Sequence, residues 1–378
     1  MADVTLRGMT WDHPRGYDPM VATAAAFAAT HPGVTITWEK RSLQAFADQP
    51  IGTLADRYDL MVIDHPHVGE VARAGLLVDL NRVGRGAEMT ALAAGSVGLS
   101  HPSYAWAGGQ WALAIDTATP VACYRPDLLT TPPRRWDEVI ALAQVGRVAL
   151  ALVPINALMT LFGIARNLGF PIAAEPGVLI DPDHGAQALG ALLELSRLVD
   201  RRCLGLDPIG IYEWMGRTAD APAYSPWGYG YANYCRDGYC RYPLAFADAP
   251  GFGTNGPRGT VLGGTGIAVS ARSAHPDIAC DYAFWIAGAD CQKGLYFTSG
   301  GQPAHRAAWE DAACNAASRS FFRNTRATLD SAWLRPRNDG YMALQDAGGA
   351  MVHRCLTGEQ SVTDTIAALN AAWAGVRA

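Results

Sequence analysis

DVTLRGMTWDHPRGYDPMVATAAAFAATHPGVTITWEK (3–40) and YDLMVIDHPHVGEVARAG (58–75) carry the architecture between them. DVTLRGM alternates apolar and polar residues, the pattern of a strand with one buried face. HPRGYDP follows as a loop. Asp18 with Pro19 makes a helix start, and Met20, Val21, Ala24, Phe27 and Ala28 recur at helical spacing up to THPG. VTITWEK reads as a second strand, LQAFADQ as a short helix, YDLMVID as a third strand, and HVGEVARAG as a helix stopped by Gly75. This β-α-β-α-β order calls for a parallel sheet covered by helices.

Further along, the same grammar returns. GQWALAID (109–116) and TPVACYRP (119–126) read as strands, RRWDEVIALAQ (134–144) as a helix, and RVALALVP (147–154) as a buried strand. NALMTLFGIARNLG (156–169) and HGAQALGALLELSRLVD (184–200) read as helices. The stretch 221–266 is aromatic and rich in Gly and Pro. Helices over 276–287, 305–330 and 340–375, with breaks, close the chain. Its 378 residues exceed one ordinary core and suit two. With 49% apolar and 17% charged residues it is globular rather than disordered. A net charge of −5 without long runs of one sign argues against a nucleic-acid or polybasic membrane surface. The longest apolar stretch, Val148 to Ala165, contains Pro154, Asn156 and Gly163 and does not read as a membrane span.

Four segments in order resemble the extracellular solute-binding proteins of group 1, the maltose-binding-like clusters of the type II periplasmic binding fold. YDLMVIDHPHVGEVARAGLLVDL is similar to that family's strand-and-helix pattern near the N-terminus. GGQWALAIDTATPVACYRPDLL…PPRRWDEVIALA resembles its crossing to a second lobe, and GGTGIAVSARSAHPDIACDYAFWIAGADCQKGLYFTSGGQPA its return. LRPRNDGYMALQDAGGAMVHRCLTGEQSVTDTIAALNAAW resembles its C-terminal helices. The resemblance implies a two-lobed α/β fold, with residues 1–117 plus 262–315 in an N-lobe and 118–261 plus 316–378 in a C-lobe. It also implies a hinge, an interlobe cleft and a sugar or polyol ligand in that cleft. ABC permease subunits are the implied partner, a monomer is expected, and neither cofactor nor chemistry is implied.

The strand-end rule of open α/β sheets selects site residues on its own. After the first strand come Trp11, Asp12, His13, Arg15 and Tyr17. After the third come Asp64, His65 and His67, and after GQWALAI comes Asp116. Together they offer an aromatic face, carboxylates and imidazoles for a polar ligand. The three histidines read equally as turn caps beside Pro14 and Pro66. A metal site built from His13, Asp64, His65 and His67 is a weaker alternative, because His-x-His on an irregular segment is a poor signal. In the second half, Asn156 stands at a helix start, where it either meets a polar ligand atom or caps the helix. In YSPWGYGYANY, Trp227 and Tyr229 are the aromatics expected to line the cleft, and core packing is the alternative for them. Gly264 and Thr265, in GGTG, are expected to present N–H groups to the ligand.

GFGTNG (251–256) spells G-x-G-x-x-G, yet Pro257, Gly259 and a strand-like TVLGG follow it, so a dinucleotide site fails its context. No G-x-S-x-G, H-E-x-x-H or P-loop occurs. Paired acid/base work by Asp12, Asp64 and Asp116 on a glycoside has no supporting segment order. In YCRDGYC (234–240), Asp237-Gly238 predicts a two-residue hairpin turn that sets Cys235 opposite Cys240, bridged or reduced according to compartment. The opening MADVTLRGMTWDH has no basic stretch followed by an apolar one. A periplasmic or extracellular place is expected if a leader has been removed, and a cytoplasmic one if the chain is natively leaderless. In the second case it would be a sensor of an organic acid or aromatic compound.

Overall fold

The structure is a computed structural model and describes residues 3–42, 51–175 and 177–376; the helix expected over LQAFADQ lies outside them. In order, the main elements are β1 (Val4–Trp11), α1 (Pro14–Thr30), β2 (Val34–Arg41), β3 (Leu60–Ile63), α2 (Val68–Ala74), β4 (Leu113–Ala114) and β5 (Pro120–Tyr124). Then come α3 (Trp136–Gln144), α4 (Pro154–Leu168), α5 (Pro182–Leu198), α6 (Pro208–Arg217), β6 (Tyr224–Tyr229), β7 (Ala245–Ala247) and β8 (Gly266–Val269). Three helices, α7 (Pro276–Ala287), α8 (Tyr341–Thr357) and α9 (Val362–Trp373), dominate the remainder. Two compact units result, Met1–Thr117 with Gly263–Cys314, and Ala118–Leu262 with Asn315–Ala378.

The first unit is built on a five-stranded sheet of order β2-β1-β3-β8-β4. β1 runs parallel to β2, in register from Val4–Val34 to Trp11–Arg41, and parallel to β3. β8 runs antiparallel to both β3 and β4, so the sheet is mixed rather than purely parallel as expected. The cause is the route of the chain. It re-enters the unit at Gly263, and Gly266 starts β8 beside Ile63, the last residue of β3. Met9, Met61, Ile63, Leu77 and Ala268 form one core cluster with Val71 of α2. α2 stops at Gly75, whose φ of +60° is left-handed.

α1 begins five residues earlier than Asp18-Pro19 suggested. Pro14 takes the first helical position, and His13 Nδ1 accepts the Arg15 N–H at 3.0 Å. A Pro at that position costs no hydrogen bond, and its fixed φ suits the helix. Pro19, read as a starter, lies inside α1. The expected strand GQWALAID is broken: Gly109–Gln110 pairs back on Ala105–Trp106, and β4 covers two residues. Gln110 causes the break, its amide donating to the carbonyls of His101 and Ala112.

The second unit holds an antiparallel sheet, β6-β5-β7, with α4 packed against α5 and α8. α8 lies close on α4 because it carries small residues. A Cβ at Gly349 would sit 2.9 Å from the Pro154 carbonyl. RVALALVP, expected as a strand, is buried but makes one bridge, Val148 to Tyr224. Its N–H groups go to separate partners, Ala149 to Tyr224 and Leu152 to Cys203 and Leu206, so an apolar run imitates a strand without a ladder. The Asp237-Gly238 turn forms, with Tyr239 N–H on Arg236 O at 3.3 Å and Gly238 at φ +78°. Strands do not flank it: Cys235 ends a 3₁₀ turn (Ala232–Cys235), and Cys235 and Cys240 are free thiols. Among the described residues no helix is long and apolar enough to cross a membrane.

Candidate functional site

The carboxyl ends of β1, β3 and β4 and the start of β8 carry nine of the twelve residues expected to hold a ligand. Sequence logic for this end is simple: β3 is buried throughout and β1 over its second half, and the residues that follow each strand are polar. The first of these, Trp11, packs its ring over Gly16, where a Cβ would lie 2.3 Å from the indole. His13 stacks on that ring at 5.2 Å and 11°. The Arg15 guanidinium stands over the same ring at 5.9 Å. Arg15 also forms a two-pronged pair with Asp116, Nε to Oδ2 at 2.7 Å and Nη2 to Oδ1 at 2.5 Å. Both partners are 3% exposed. Burial pushes the Asp116 carboxyl above its ordinary range, and Arg15 opposes that push.

From Asp116 the network continues through backbone. Its carbonyl accepts the Thr265 N–H at 3.1 Å, and the Thr265 carbonyl accepts the N–H groups of Ile115 and Asp116. Gly264 sits at φ +116°, with space for no side chain: a Cβ would fall 2.4 Å from the Asp116 carbonyl oxygen. Tyr104 ties in the third strand end, its hydroxyl shared between the Ile63 and Gly264 carbonyls at 3.3 and 3.4 Å. His65, fully buried, meets the Tyr104 ring edge-on at 6.3 Å. Asp64 caps the following 3₁₀ turn by accepting the His65 N–H, and its carboxylate lies 3.1 Å from His65 Nδ1. His67 closes that turn and is buried.

Trp11, His13, Arg15, Asp64, His65, Asp116, Gly264 and Thr265 are thus joined in one continuous set of contacts with Tyr104. Most of it is buried and serves as a foundation. Arg15 and Asp116 neutralise each other, and the Thr265 N–H, expected to face a ligand, is spent on Asp116. The groups that face solvent at this end are Asp12, half exposed, and Asp64, 28% exposed. Lys40 Nζ pairs with Asp12 at 2.7 Å and stands 5.1 Å over the Tyr17 ring. Sequence reasoning missed Lys40, although the strand-end rule applied to VTITWEK would have found it. Tyr104 had no sequence signal. Among the described residues no group of three or more His, Cys, Asp or Glu could hold a metal ion.

In the second unit Asn156 lies on α4, and Trp227 and Tyr229 lie on β6. Asn156 is the third residue of α4, and its side chain does not cap the helix; Val153 holds the cap position. Trp227 is 2% exposed, and its Nε1 donates to Pro250 O at 3.0 Å. It lies edge-on to Trp136 and fills the space over Gly163. This is core packing rather than a cleft wall, because the polar atom of the indole is already satisfied inside. Tyr229 is half-buried, pairs with Pro120 across β5 and β6, and accepts the Tyr212 hydroxyl on its carbonyl.

Residues 10–163 match the family model described as Bacterial extracellular solute-binding protein. The chain is similar to the structure described as maltose-bound T. maritima MalE3, at TM-score 0.84 and 17% identity, with 98% of each chain covered. It is similar, at TM-score 0.81 and 18% identity, to an ABC transporter solute-binding protein from Agrobacterium radiobacter K84 in complex with ribitol, covering 99% of this chain and 98% of that one. A solute-binding protein from Thermotoga lettingae TMO bound with alpha-D-tagatose gives 0.82 at 15% identity, with 98% of each covered. No curated protein sequence matches the chain. The resemblance read from four sequence segments holds, and the fold is that of the two-lobed periplasmic binding proteins.

Proposed function

We propose that this chain is the solute-binding receptor of an ABC importer, taking up a small polar ligand, a sugar or polyol first among candidates, and releasing it unchanged. The observation that carries the reading is the fold match over 98% of the chain to maltose-bound T. maritima MalE3, joined by the family match at residues 10–163. Maltose, ribitol and tagatose are the ligands of the three similar structures, and all present rows of hydroxyls. Asp12, Asp64 and Lys40 supply acceptors and donors of the right kind at the strand ends, and Tyr17 supplies a ring face. Arg15 and Asp116 act one step back, holding the loops that carry those groups. The family is one of binding proteins, and a reversible receptor is the reading that needs no further chemistry. Permease subunits as partner, and a place outside the cytoplasmic membrane, belong to the same proposal.

Asn156 and Tyr229 are the second unit's proposed ligand contacts. A thermal-shift screen of maltose, ribitol, tagatose and related polyols tests the receptor reading, because a ligand that binds the folded chain raises its unfolding midpoint. The expected result is a clear rise with at least one of them. The ligand should be recovered intact, and Asp64→Asn should weaken its binding. A product in place of the added sugar, or no rise with any of these compounds, overturns the proposal.

A further inference from the structure

Arg166 and Arg258 leave the second unit from abutting backbones. Gly259, at φ +90°, packs on the last turn of α4, where a Cβ would lie 2.8 Å from the Arg166 carbonyl carbon and 2.9 Å from its Cβ. Asn167 locks this junction. Its amide donates to the carbonyls of Gly256 (2.9 Å) and Arg258 (2.7 Å) and accepts the Phe252 N–H at 2.8 Å. Phe252 in turn stacks on Trp136 at 4.6 Å. The GFGTNG loop, which failed as a dinucleotide motif, is therefore a fixed support that brings both side chains to the end of α4: a Cβ at Gly169 would lie 3.9 Å from Arg258 Nη2, one residue from the Phe170 carbonyl that takes Arg166 Nη1.

Arg166 Nη1 donates to Phe170 O at 3.2 Å, and the guanidinium lies over the Trp333 ring at 5.8 Å. Its Nε is buried and has no partner. Burial first, and the Arg258 charge second, pull its pKa down. Among the described residues neither arginine is in an ion pair with a carboxylate. Two neighbouring guanidinium groups without a carboxylate partner are a ready receptor for an oxyanion, which supplies the missing charge and accepts N–H groups of the exposed Arg258.

We infer that Arg166 and Arg258 form a binding site for a single oxyanion group, a carboxylate or a phosphate. It is separate from the strand-end network of the first unit. It also stands about 15 Å along α4 from Asn156, at ~1.5 Å per helical residue. The site does not depend on which sugar or polyol the receptor takes.

Calorimetric titration with inorganic phosphate and with gluconate, each against sodium chloride at equal ionic strength, tests this. At least one of the two should bind more tightly than chloride. Arg258→Gln and Arg166→Gln should each weaken it about tenfold or more, the effect of losing a charge-assisted hydrogen bond. Response to phosphate alone identifies a phosphate site, and response to gluconate alone a carboxylate site. Should Arg166→Gln fail to fold, Arg258→Gln, at an exposed side chain, carries the test. The inference is overturned if neither anion outdoes chloride, or if Arg258→Gln binds as the unaltered chain does.

Discussion

Arg15→Ala removes the partner of a carboxylate that is 3% exposed and cannot reach water. Breaking a buried pair from one side costs about 3–5 kcal/mol, because the remaining charge loses its compensation. Loss of the guanidinium from the Trp11 face adds roughly 0.5–1 kcal/mol. For a unit of this size each kcal/mol lowers the unfolding midpoint by about 2–4 °C, so a drop of roughly 7–24 °C is expected at pH 7. The pH dependence gives a second, sharper readout. Burial already raises the Asp116 pKa against the pull of Arg15, and without Arg15 it must rise further. A group whose pKa is raised in the folded state binds its proton more tightly there. Its favourable contribution is full below the unfolded value and is lost as pH rises through the folded one. The variant should therefore recover stability as pH falls from 7 toward the ordinary carboxyl range, more steeply than the unaltered chain. Differential scanning calorimetry at several pH values measures both effects. Arg15→Met with Asp116→Leu should recover much of the loss. A midpoint within 2 °C of the unaltered chain at pH 7, or a loss that ignores pH, would refute the reasoning.

His13→Ala deletes the side chain that accepts the Arg15 N–H at the start of α1 and should cost ~1 kcal/mol, seen as a lower calorimetric midpoint. Trp227→Ala should cost about 3–5 kcal/mol, since the ring fills the space over Gly163, and should leave the affinity of whatever ligand the screen finds unchanged. A lost affinity without lost stability would return Trp227 to the binding surface. Gly264→Ala should destabilise the first unit by at least ~1–3 kcal/mol, because φ +116° and the Asp116 carbonyl both oppose a Cβ. All eight cysteines are buried free thiols, so a thiol reagent should react slowly with the native chain and fully after denaturation without reductant. A shortfall of two would reveal a bridge.

The first unit was legible because its strands obey simple rules. β1 alternates, β3 is an apolar run, and the residues just past them do gather in space. What could not be read was the role of each gathered residue. Arg15 and Asp116 look from sequence like two ligand contacts, and their separation of 101 positions hides that they satisfy one another. The direction of β8 was hidden for a similar reason, since it depends on where the chain re-enters the sheet. RVALALVP has the composition of a buried strand and its burial, but composition does not say that its N–H groups find scattered partners. YSPWGYGYANY failed on depth: a Trp in an aromatic run suits a cleft wall or a core equally, and the Pro250 carbonyl that decides between them is 23 positions away.

Titration calorimetry of the purified chain with maltose, ribitol and tagatose in turn puts the receptor claim to its hardest trial. The account predicts a single saturating binding event with at least one of these compounds, after which the heat returns to baseline. Silence from all three, or a continuing heat flow that marks turnover of the added sugar, would contradict it.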